Sequence, residues 1–217
     1  MVHYPIMGPK DKKKRASQSG GGEAMEQKNQ KLQAILLADS FKQTFRPVTL
    51  ERPQMLLPLV NVPMMEYTVE FLAQNGVEEI FIVCVWGAEK LQEYVDSAKW
   101  SKGLTVHCIQ LASCLSAGDA LRELDSQGLI RSDPFVLISG DVVSNMNLKK
   151  AIEFHKERRK DDMNAIMTIV LKPVQKGAGV KPVMDDLVVA FDKQSSQLLL
   201  FDDDIKKENV ELPLEII

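Results

Sequence analysis

The chain has 217 residues, of which 45% are hydrophobic and 26% are charged. This length and composition are sufficient for a well-packed globular core with residues left over for tails. The 27 Lys and Arg residues and 30 Asp and Glu residues give a formal net charge of -3, so no global field attracts DNA, RNA or an anionic membrane. The longest apolar run, residues 80–86, is too short to cross a bilayer. We therefore predict neither a direct nucleic-acid partner nor a membrane partner.

The N-terminus and the cysteines indicate the cellular compartment. No apolar signal core follows the first charged residues, and Cys84, Cys108 and Cys114 form an odd set without CxxC spacing. Two of the three cysteines lie in or beside apolar runs. We therefore expect reduced, buried thiols in a protein of the cytoplasm, in its cytosol.

Residues 1–31 are predicted to be a disordered tail. They are polar, are basic over residues 10–15 with only Asp11 interrupting, and continue into three glycines at 20–22. The basic cluster is open to interpretation as a localisation signal or an RNA contact. A solvated tail is the commoner meaning of such a run, and it is the interpretation we favour.

From residue 32 onward, apolar runs alternate with helical patterns. The predicted strands cover residues 33–38, 79–86, 104–111, 135–138 and 165–171. The predicted helices run from Pro63 to about Gly76, over 88–98, over 117–126, and onward from Asn147 as N-cap. Because the strand runs are continuously apolar rather than alternating, we expect these strands to be covered on both faces.

This alternation predicts an α/β fold of Rossmann-like architecture, with a mostly parallel sheet and helices on both faces. Ligands of such folds bind outside the carboxyl ends of the strands. The candidate site therefore lies at Ala38, Trp86, Leu111 and Ser139. Both Trp86 and Trp100 are expected to pack against the protein rather than to stack on a cofactor.

The C-terminal part shows a weaker pattern. Residues 187–192 and 197–202 are predicted to form a hairpin around a turn at 193–196. The stretch up to Ile217 mixes apolar and acidic residues without a closing element. We assign residues 32–217 to one domain, and we expect that a further domain normally follows or that the chain is a fragment.

The loop after the first predicted strand carries a family signature. It resembles the sugar-nucleotide pyrophosphorylases, whose segments follow the patterns G-G-x-G-T-R-L-x-P-x-T, P-K-x-L-L-P-V and N-K-P-M. The matching skeleton consists of Pro47, Thr49, Pro53, Leu56, Leu57, Pro58, Asn61, Pro63 and Met64. The resemblance implies that the Rossmann-like domain at 32–217 has the nucleotidyltransferase fold.

The residues that carry the chemistry of that family are replaced in the same stretch. Its glycines fall at Asp39, Ser40 and Lys42, its arginine at Thr44, and its lysines at Gln54 and Val62. Glycines let backbone N–H groups approach the nucleotide phosphates, and Arg and Lys neutralise the charge that develops in phosphoryl transfer. The resemblance therefore implies a vestigial phosphate loop, with no catalytic residue and no cofactor, at Asp39, Ser40, Lys42, Thr44 and Gln54.

Two later segments extend the resemblance. Residues 115–121 resemble the L-G-T-A-G-A-L base-binding turn, with Asp119 in place of a glycine. Residues 139–143 resemble the Gly-Asp motif whose aspartate, here Asp141, helps to hold Mg²⁺. Because aspartate also stabilises turns, we interpret Asp141 as structurally retained and vestigial, and we predict no bound metal.

Three stretches, residues 36–41, 139–145 and 153–159, resemble the epsilon subunits of eukaryotic translation initiation factor 2B. This resemblance implies membership of the guanine nucleotide exchange factor complex for initiation factor 2. Its implied partners are the gamma and other subunits of the initiation factor 2B complex, and initiation factor 2 itself. That family carries its exchange activity in a C-terminal helical-repeat domain preceded by a β-helix, and we expect neither in these 217 residues.

The favoured prediction is therefore a catalytically inactive scaffold domain acting in translation initiation, and not an enzyme. The alternative is an active pyrophosphorylase or a sensor of nucleotides, which the fold skeleton and Asp141 keep open.

Overall fold

The computed structural model describes residues 2–5, 31–38, 45–111, 114–171, 188–192 and 198–202. The chain folds as two compact units: residues 17–149 form the first, and residues 1–16 with 150–217 form the second. The predicted boundary near residue 31, with one domain over 32–217, stays a prediction. No change in composition marks residue 150, because it lies inside a helix and not in a linker.

The strands are β1 (Val2–Pro5), β2 (Gln33–Leu37), β3 (Pro58–Leu59), β4 (Val62–Pro63), β5 (Glu79–Cys84), β6 (Thr105–Gln110), β7 (Val136–Ser139), β8 (Thr168–Leu171), β9 (Val188–Phe191) and β10 (Leu198–Asp202). The α-helices are α1 (Val48–Glu51), α2 (Met64–Gln74), α3 (Ala88–Ser97), α4 (Ala117–Ser126) and α5 (Leu148–Asp161), and a 3₁₀ helix covers Gln54–Leu56. Every strand and helix that the sequence predicts is present within one to three residues of its expected bounds.

The first unit contains a parallel sheet of four strands in the order β6-β5-β2-β7. Strand β2 pairs with both β5 and β7, and β5 pairs with β6. All of β2 is buried, and β5 is buried after its first residue, whereas β6 and β7 are more exposed. The expectation of full coverage therefore holds for the two inner strands and is wrong for the two outer ones, because outer strands have fewer neighbours.

Helices lie on both faces of this sheet, as predicted. On one face, Ile35 and Val83 belong to a core cluster that also contains Leu124 of α4. On the other face, Cys108 of β6 approaches α3, with its Sγ 3.9 Å from the Ala88 carbonyl oxygen. Successive residues of a strand point to opposite faces. Val83 pairs with Ile109, the neighbour of Cys108, so Val83 and Cys108 contact helices on opposite faces of the sheet.

Helix α2 begins and ends where the sequence indicates. Pro63 is its N-cap residue, and Met65, Val69 and Leu72, which share one helix face, are buried. The chain then turns at Gly76, which has a φ of +90°. Glycine is required there because other residues adopt this conformation only at an energetic cost.

A buried polar side chain fixes the position of β7 beside β2. Gln33, at the start of β2, accepts hydrogen bonds from the backbone N–H groups of Arg131 (2.6 Å) and Ser132 (2.9 Å) through its Oε1. The Ser132 Oγ accepts a further bond from the Gln33 N–H (3.2 Å). These bonds compensate for the burial of Gln33 and hold the segment that leads into β7.

The structure adds elements between residues 45 and 63 that the sequence analysis misses. They are α1, the 3₁₀ helix and the short antiparallel hairpin of β3 and β4. Strands of two residues and a helix of four are too short to show a hydrophobic period. Predicted strand 79–86 also stops early, at Cys84, because Gly87 turns the chain with a φ of +69°.

The second unit contains two antiparallel strand pairs, β1 with β8 and β9 with β10. The second pair confirms the predicted hairpin. The first pair differs from the predicted tail, because Val2–Pro5 form a strand although they lie within residues 1–31. The disorder prediction, which treats all of residues 1–31 as one polar stretch, is therefore wrong for these four residues. The remainder of the predicted tail, apart from Lys31, lies outside the described residues.

The three cysteines differ in how deeply they are buried. All three cysteines lie outside disulfides; Cys84 is buried as predicted, whereas Cys108 and Cys114 are half-buried. Within the part of the chain that the structure describes, no helix is both long enough and apolar enough to span a membrane.

Candidate functional site at the carboxyl edge of the sheet

The strand order creates a topological switch point between β2 and β7. Strands β5 and β6 lie on one side of β2, and β7 lies on the other, so the chain leaves β2 and β7 in different directions. After β2, the Ala38 N–H donates to the Val83 carbonyl oxygen (2.8 Å). After β7, the Gly140 N–H donates to the Leu37 carbonyl oxygen (2.8 Å). The two strand ends are therefore held side by side where this type of fold binds ligands.

The four predicted site positions all lie at this carboxyl edge, in different environments. Ala38 and Leu111 are buried, Ser139 is half-buried, and Trp86 is exposed. Trp86 is not a core residue, since 44% of its surface is exposed, so its predicted packing against the protein is only partial. Trp100 does pack at a helix edge, where its Nε1–H donates to the Val95 carbonyl oxygen (3.1 Å).

The predicted vestigial phosphate loop is described only in part. Asp39, Ser40, Lys42 and Thr44 lie outside the described residues. Gln54, which stands where the pyrophosphorylases have a lysine, is half-buried in the 3₁₀ helix. A glutamine side chain at this position supplies no positive charge to a phosphate.

The segment of Pro53 to Met55 lies across the carboxyl edge, and two glycines permit its close approach. A Cβ built on Gly87, after β5, would lie 2.6 Å from Pro53 Cγ. A Cβ built on Gly140, after β7, would lie 2.7 Å from Met55 Cγ and Sδ and 2.8 Å from the Leu37 carbonyl oxygen. Met55 is fully buried. The apolar Met55 side chain therefore occupies space directly above the β2–β7 junction.

Asp141 lies on a loop whose backbone is fixed by hydrogen bonds at Val142. The hydroxyl of Thr68, a fully buried residue of α2, donates to the Val142 carbonyl oxygen (3.0 Å). The Val142 N–H donates to the Ser139 carbonyl oxygen (3.3 Å). The Asp141 side chain itself is exposed. Among the residues that the structure describes, no group of three or more His, Cys, Asp or Glu side chains surrounds a common point where a metal could bind.

Asp119 is part of a helix cap rather than an open turn. Ser116 is the N-cap of α4: its Oγ accepts from the Asp119 N–H (3.2 Å) and donates to Asp119 Oδ2 (2.9 Å). The Leu115 N–H (3.3 Å) and Arg122 Nη2 (2.5 Å) donate to the same carboxylate. The Ser116 hydroxyl, followed by Arg122 and the Leu115 amide, lowers the pKa of Asp119. The carboxylate that replaces a glycine of the base-binding turn thus reinforces the helix N-terminus, in an arrangement similar to a capping box but with the Leu115 N–H as its backbone donor.

Exposed apolar side chains surround the strand ends. Each of the four parallel strands is followed by at least one such residue, and together they form what we call the apolar rim: Phe45, Trp86, Leu115, Val142 and Val143. Leu115 is the most exposed, with 88% of its surface accessible. Exposed apolar side chains of this kind are a common feature of sites where another protein docks.

Comparison with known proteins connects this geometry to a family. The family model described as Nucleotidyl transferase matches residues 33–185. The chain is 41% identical over 212 residues, 97% of its length, to translation initiation factor eIF2B subunit epsilon of Dictyostelium discoideum. It is 46% identical over 176 residues, 80% of its length, to the same subunit of Schizosaccharomyces pombe. These identities confirm the resemblance to the epsilon subunits.

The chain spans 30% and 26% of the lengths of these two relatives. A solved structure of apo UDP-glucose pyrophosphorylase aligns with 60% of this chain and 56% of its own, with a TM-score of 0.51 and 20% identity. That likeness concerns the fold alone. Since the family match extends over residues 33–185, the chain belongs to the nucleotidyl transferase family.

Proposed function

We propose that this chain is a non-catalytic, protein-binding nucleotidyltransferase-like domain of an initiation factor 2B epsilon-type subunit, and that it acts in translation initiation. Its role in this proposal is to help assemble the exchange factor complex in the cytosol. The resemblance assigns guanine nucleotide exchange on initiation factor 2 to a helical-repeat domain of the whole subunit. The proposed contribution of this chain is therefore binding to the gamma and other subunits of the complex.

The observation that carries the proposal is the apolar rim at the carboxyl edge. A site for a nucleotide needs backbone amides and cations directed at phosphates, whereas Leu115, Val142 and Val143 present hydrocarbon there. Burying such side chains against another protein contributes about 25 cal/mol for each Å² of apolar surface removed from water. The edge that binds ligand in related folds is thus suited here to a protein partner.

Two further features argue against turnover. Met55 fills space above the β2–β7 junction, and its side chain offers a phosphate no hydrogen-bond donor. The family's phosphate-binding lysine is replaced by Gln54, and its base-binding glycine by Asp119. Loss of one preorganised charge partner costs about 10²–10³ in rate, so several losses together leave no useful catalysis.

The partner-binding role can be tested with a purified gamma subunit and single substitutions in the apolar rim. We expect Leu115→Ser and Val143→Ser each to weaken binding about 5- to 30-fold, the effect of about 1–2 kcal/mol for a buried apolar contact. Phe135→Ser is the matched control, because Phe135 lies at the opposite, amino end of β7 and is 42% exposed against 49% for Val143. Unchanged affinity in both rim variants, or equal loss in the control, would contradict this role for the rim.

A second candidate function is nucleotide binding without turnover, and the exposed Asp141 at the switch point favours it. This function predicts saturable, Mg²⁺-dependent calorimetric binding of a nucleoside triphosphate or sugar nucleotide, which Asp141→Asn should abolish. Pyrophosphate exchange detected in the same samples would support the alternative that the chain is an active pyrophosphorylase. Absence of both binding and exchange across the nucleotide panel would leave the protein-binding role.

A further inference from the structure

Two thiols meet on one face of the sheet, beside the strand ends that carry the apolar rim. Cys84 is the last residue of β5, and Cys108 lies in β6, two register positions before the partner of Cys84. Their sulfur atoms are 3.8 Å apart. Of the three cysteines in the chain, these two form a pair, whereas Cys114 follows the end of β6.

The two members of the pair have different surroundings. Cys84 is fully buried, and its Sγ also lies 3.7 Å from the Ile109 carbonyl oxygen. Cys108 is half-buried, so more of this residue than of Cys84 is accessible to solutes. A hydrogen bond with Cys84 lowers the pKa of the Cys108 thiol, although burial and the carboxylate of Asp96 act in the opposite direction.

Cys114 provides an internal comparison. It is also half-buried, but burial and then the carboxylates of Asp119 and Glu123 raise the pKa of its thiol. Because the thiolate is the nucleophilic form, Cys108 should react before Cys114 at neutral pH even though both are partly accessible.

We propose that Cys84 and Cys108 form a modification site that hydroperoxides convert to a disulfide. In the first step the Cys108 thiolate attacks one peroxide oxygen. The S–O bond forms, the O–O bond breaks, and hydroxide leaves to be protonated by solvent, so the sulfur is oxidised to a sulfenic acid while the peroxide is reduced.

In the second step the Cys84 sulfur attacks the sulfenic sulfur. The S–S bond forms, the S–O bond breaks, and the departing hydroxyl takes the Cys84 proton as water. The sulfur atoms must approach from 3.8 Å to about 2.05 Å, which requires rotation of both side chains. Cys84 is thus the hydrogen-bond partner of Cys108 before oxidation and the resolving thiol afterwards.

The test is mild oxidation of the full chain with hydrogen peroxide, followed by intact-mass measurement and peptide mapping under non-reducing conditions. We expect a loss of about 2 Da and a single linked peptide pair that contains Cys84 and Cys108. The linked pair should be absent from Cys108→Ala and present in Cys114→Ala, which is the matched control. Cys84→Ala should instead retain a sulfenic acid at Cys108 that dimedone traps.

Circular dichroism identifies any variant that fails to fold. If the buried position does not tolerate Cys84→Ala, the comparison of Cys108→Ala with Cys114→Ala still decides whether the link requires Cys108. Oxidation at Cys114 before Cys108, or a wild-type chain that forms no Cys84–Cys108 link at any peroxide concentration, would overturn the proposal.

Discussion

Gly140 is the position where the packing of the switch point can be tested most directly. A methyl group added there would lie 2.7 Å from Met55 Cγ and Sδ and 2.8 Å from the Leu37 carbonyl oxygen. Ordinary contacts of this kind begin near 3.5 Å, so neighbouring atoms would have to move by roughly 0.7 Å. Met55 is fully buried, and the Leu37 oxygen belongs to a central strand that accepts the Gly140 N–H. The added methyl group therefore has to displace a buried side chain or a hydrogen-bonded backbone oxygen.

We therefore expect Gly140→Ala to lower the free energy of unfolding by about 1–3 kcal/mol, the usual cost of overpacking a core. For a chain of this size that corresponds to a decrease in Tm of roughly 2–12 °C. Urea unfolding should be followed by tryptophan fluorescence, because both tryptophans, Trp86 and Trp100, lie in the first unit. The signal then reports on the unit that contains the substitution.

Gly118→Ala is the matched control for this experiment. A Cβ on Gly118 would be 3.7 Å from its nearest neighbours, the side chains of Arg122 and Ser116, and the residue lies in helix α4. Alanine is preferred in helices, so this change should be neutral or stabilising by up to about 1 kcal/mol. Equal stability of the Gly140→Ala and Gly118→Ala variants would refute the packing argument. In a Met55→Ala background, Gly140→Ala should cost less, and the coupling energy measures the Met55 contact.

Three further predictions concern single side chains of the first unit. Asp119→Asn should destabilise the protein at pH 7, and this destabilisation should shrink as the pH falls below about 4. A lowered pKa contributes its full stability above the unfolded pKa and loses it as the pH falls through the folded pKa. A pH-independent difference in urea unfolding would be inconsistent with this. Burial and the hydrogen bond to Glu66 raise the pKa of Tyr94 to about 12. Tyr94→Phe should therefore lower the free energy of unfolding by about 1 kcal/mol below pH 10, and this difference should vanish as the pH rises through 12. Urea unfolding at several pH values measures it. Val60 is 83% exposed and has a φ of +62°, a backbone conformation that asparagine adopts more readily than valine. Val60→Asn should therefore raise the free energy of unfolding by about 1 kcal/mol. An unchanged urea midpoint would count against backbone strain at this position.

The sequence predicts the sheet well because its inner strands are long, continuous and apolar. Residues 33–38 and 79–86 contain enough β-branched and aliphatic side chains to be identified without tertiary information, and the structure has strands in both. The β3–β4 hairpin could not be predicted, because its two-residue strands depend on contacts with other segments. The division near residue 150 is likewise set by tertiary contacts, because composition does not change there.

The location of the candidate site was predictable, whereas its contents were not. Strand ends at Ala38 and Ser139 follow from the alternation of elements and from the rule that ligands bind at carboxyl ends. Met55 occupies an unconstrained position of the family pattern, so only the structure reveals that it contacts Gly140. The cap formed by Ser116 and Asp119 is indicated by the Ser-x-x-Asp spacing, which is typical of a helix N-terminus.

The contact at Gly140 changes the meaning of the Gly-Asp pair in the sequence. A glycine is required there by Met55 and by the Leu37 carbonyl oxygen, whether or not a metal ever binds to the adjacent carboxylate. The loop that follows is held through its backbone by Thr68, so neither constraint involves the side chain of Asp141. Packing therefore explains the glycine and the shape of the loop, and it leaves the carboxylate unexplained. For this reason binding measured with Asp141→Asn, and not the presence of the motif, separates nucleotide binding from structural retention at this site.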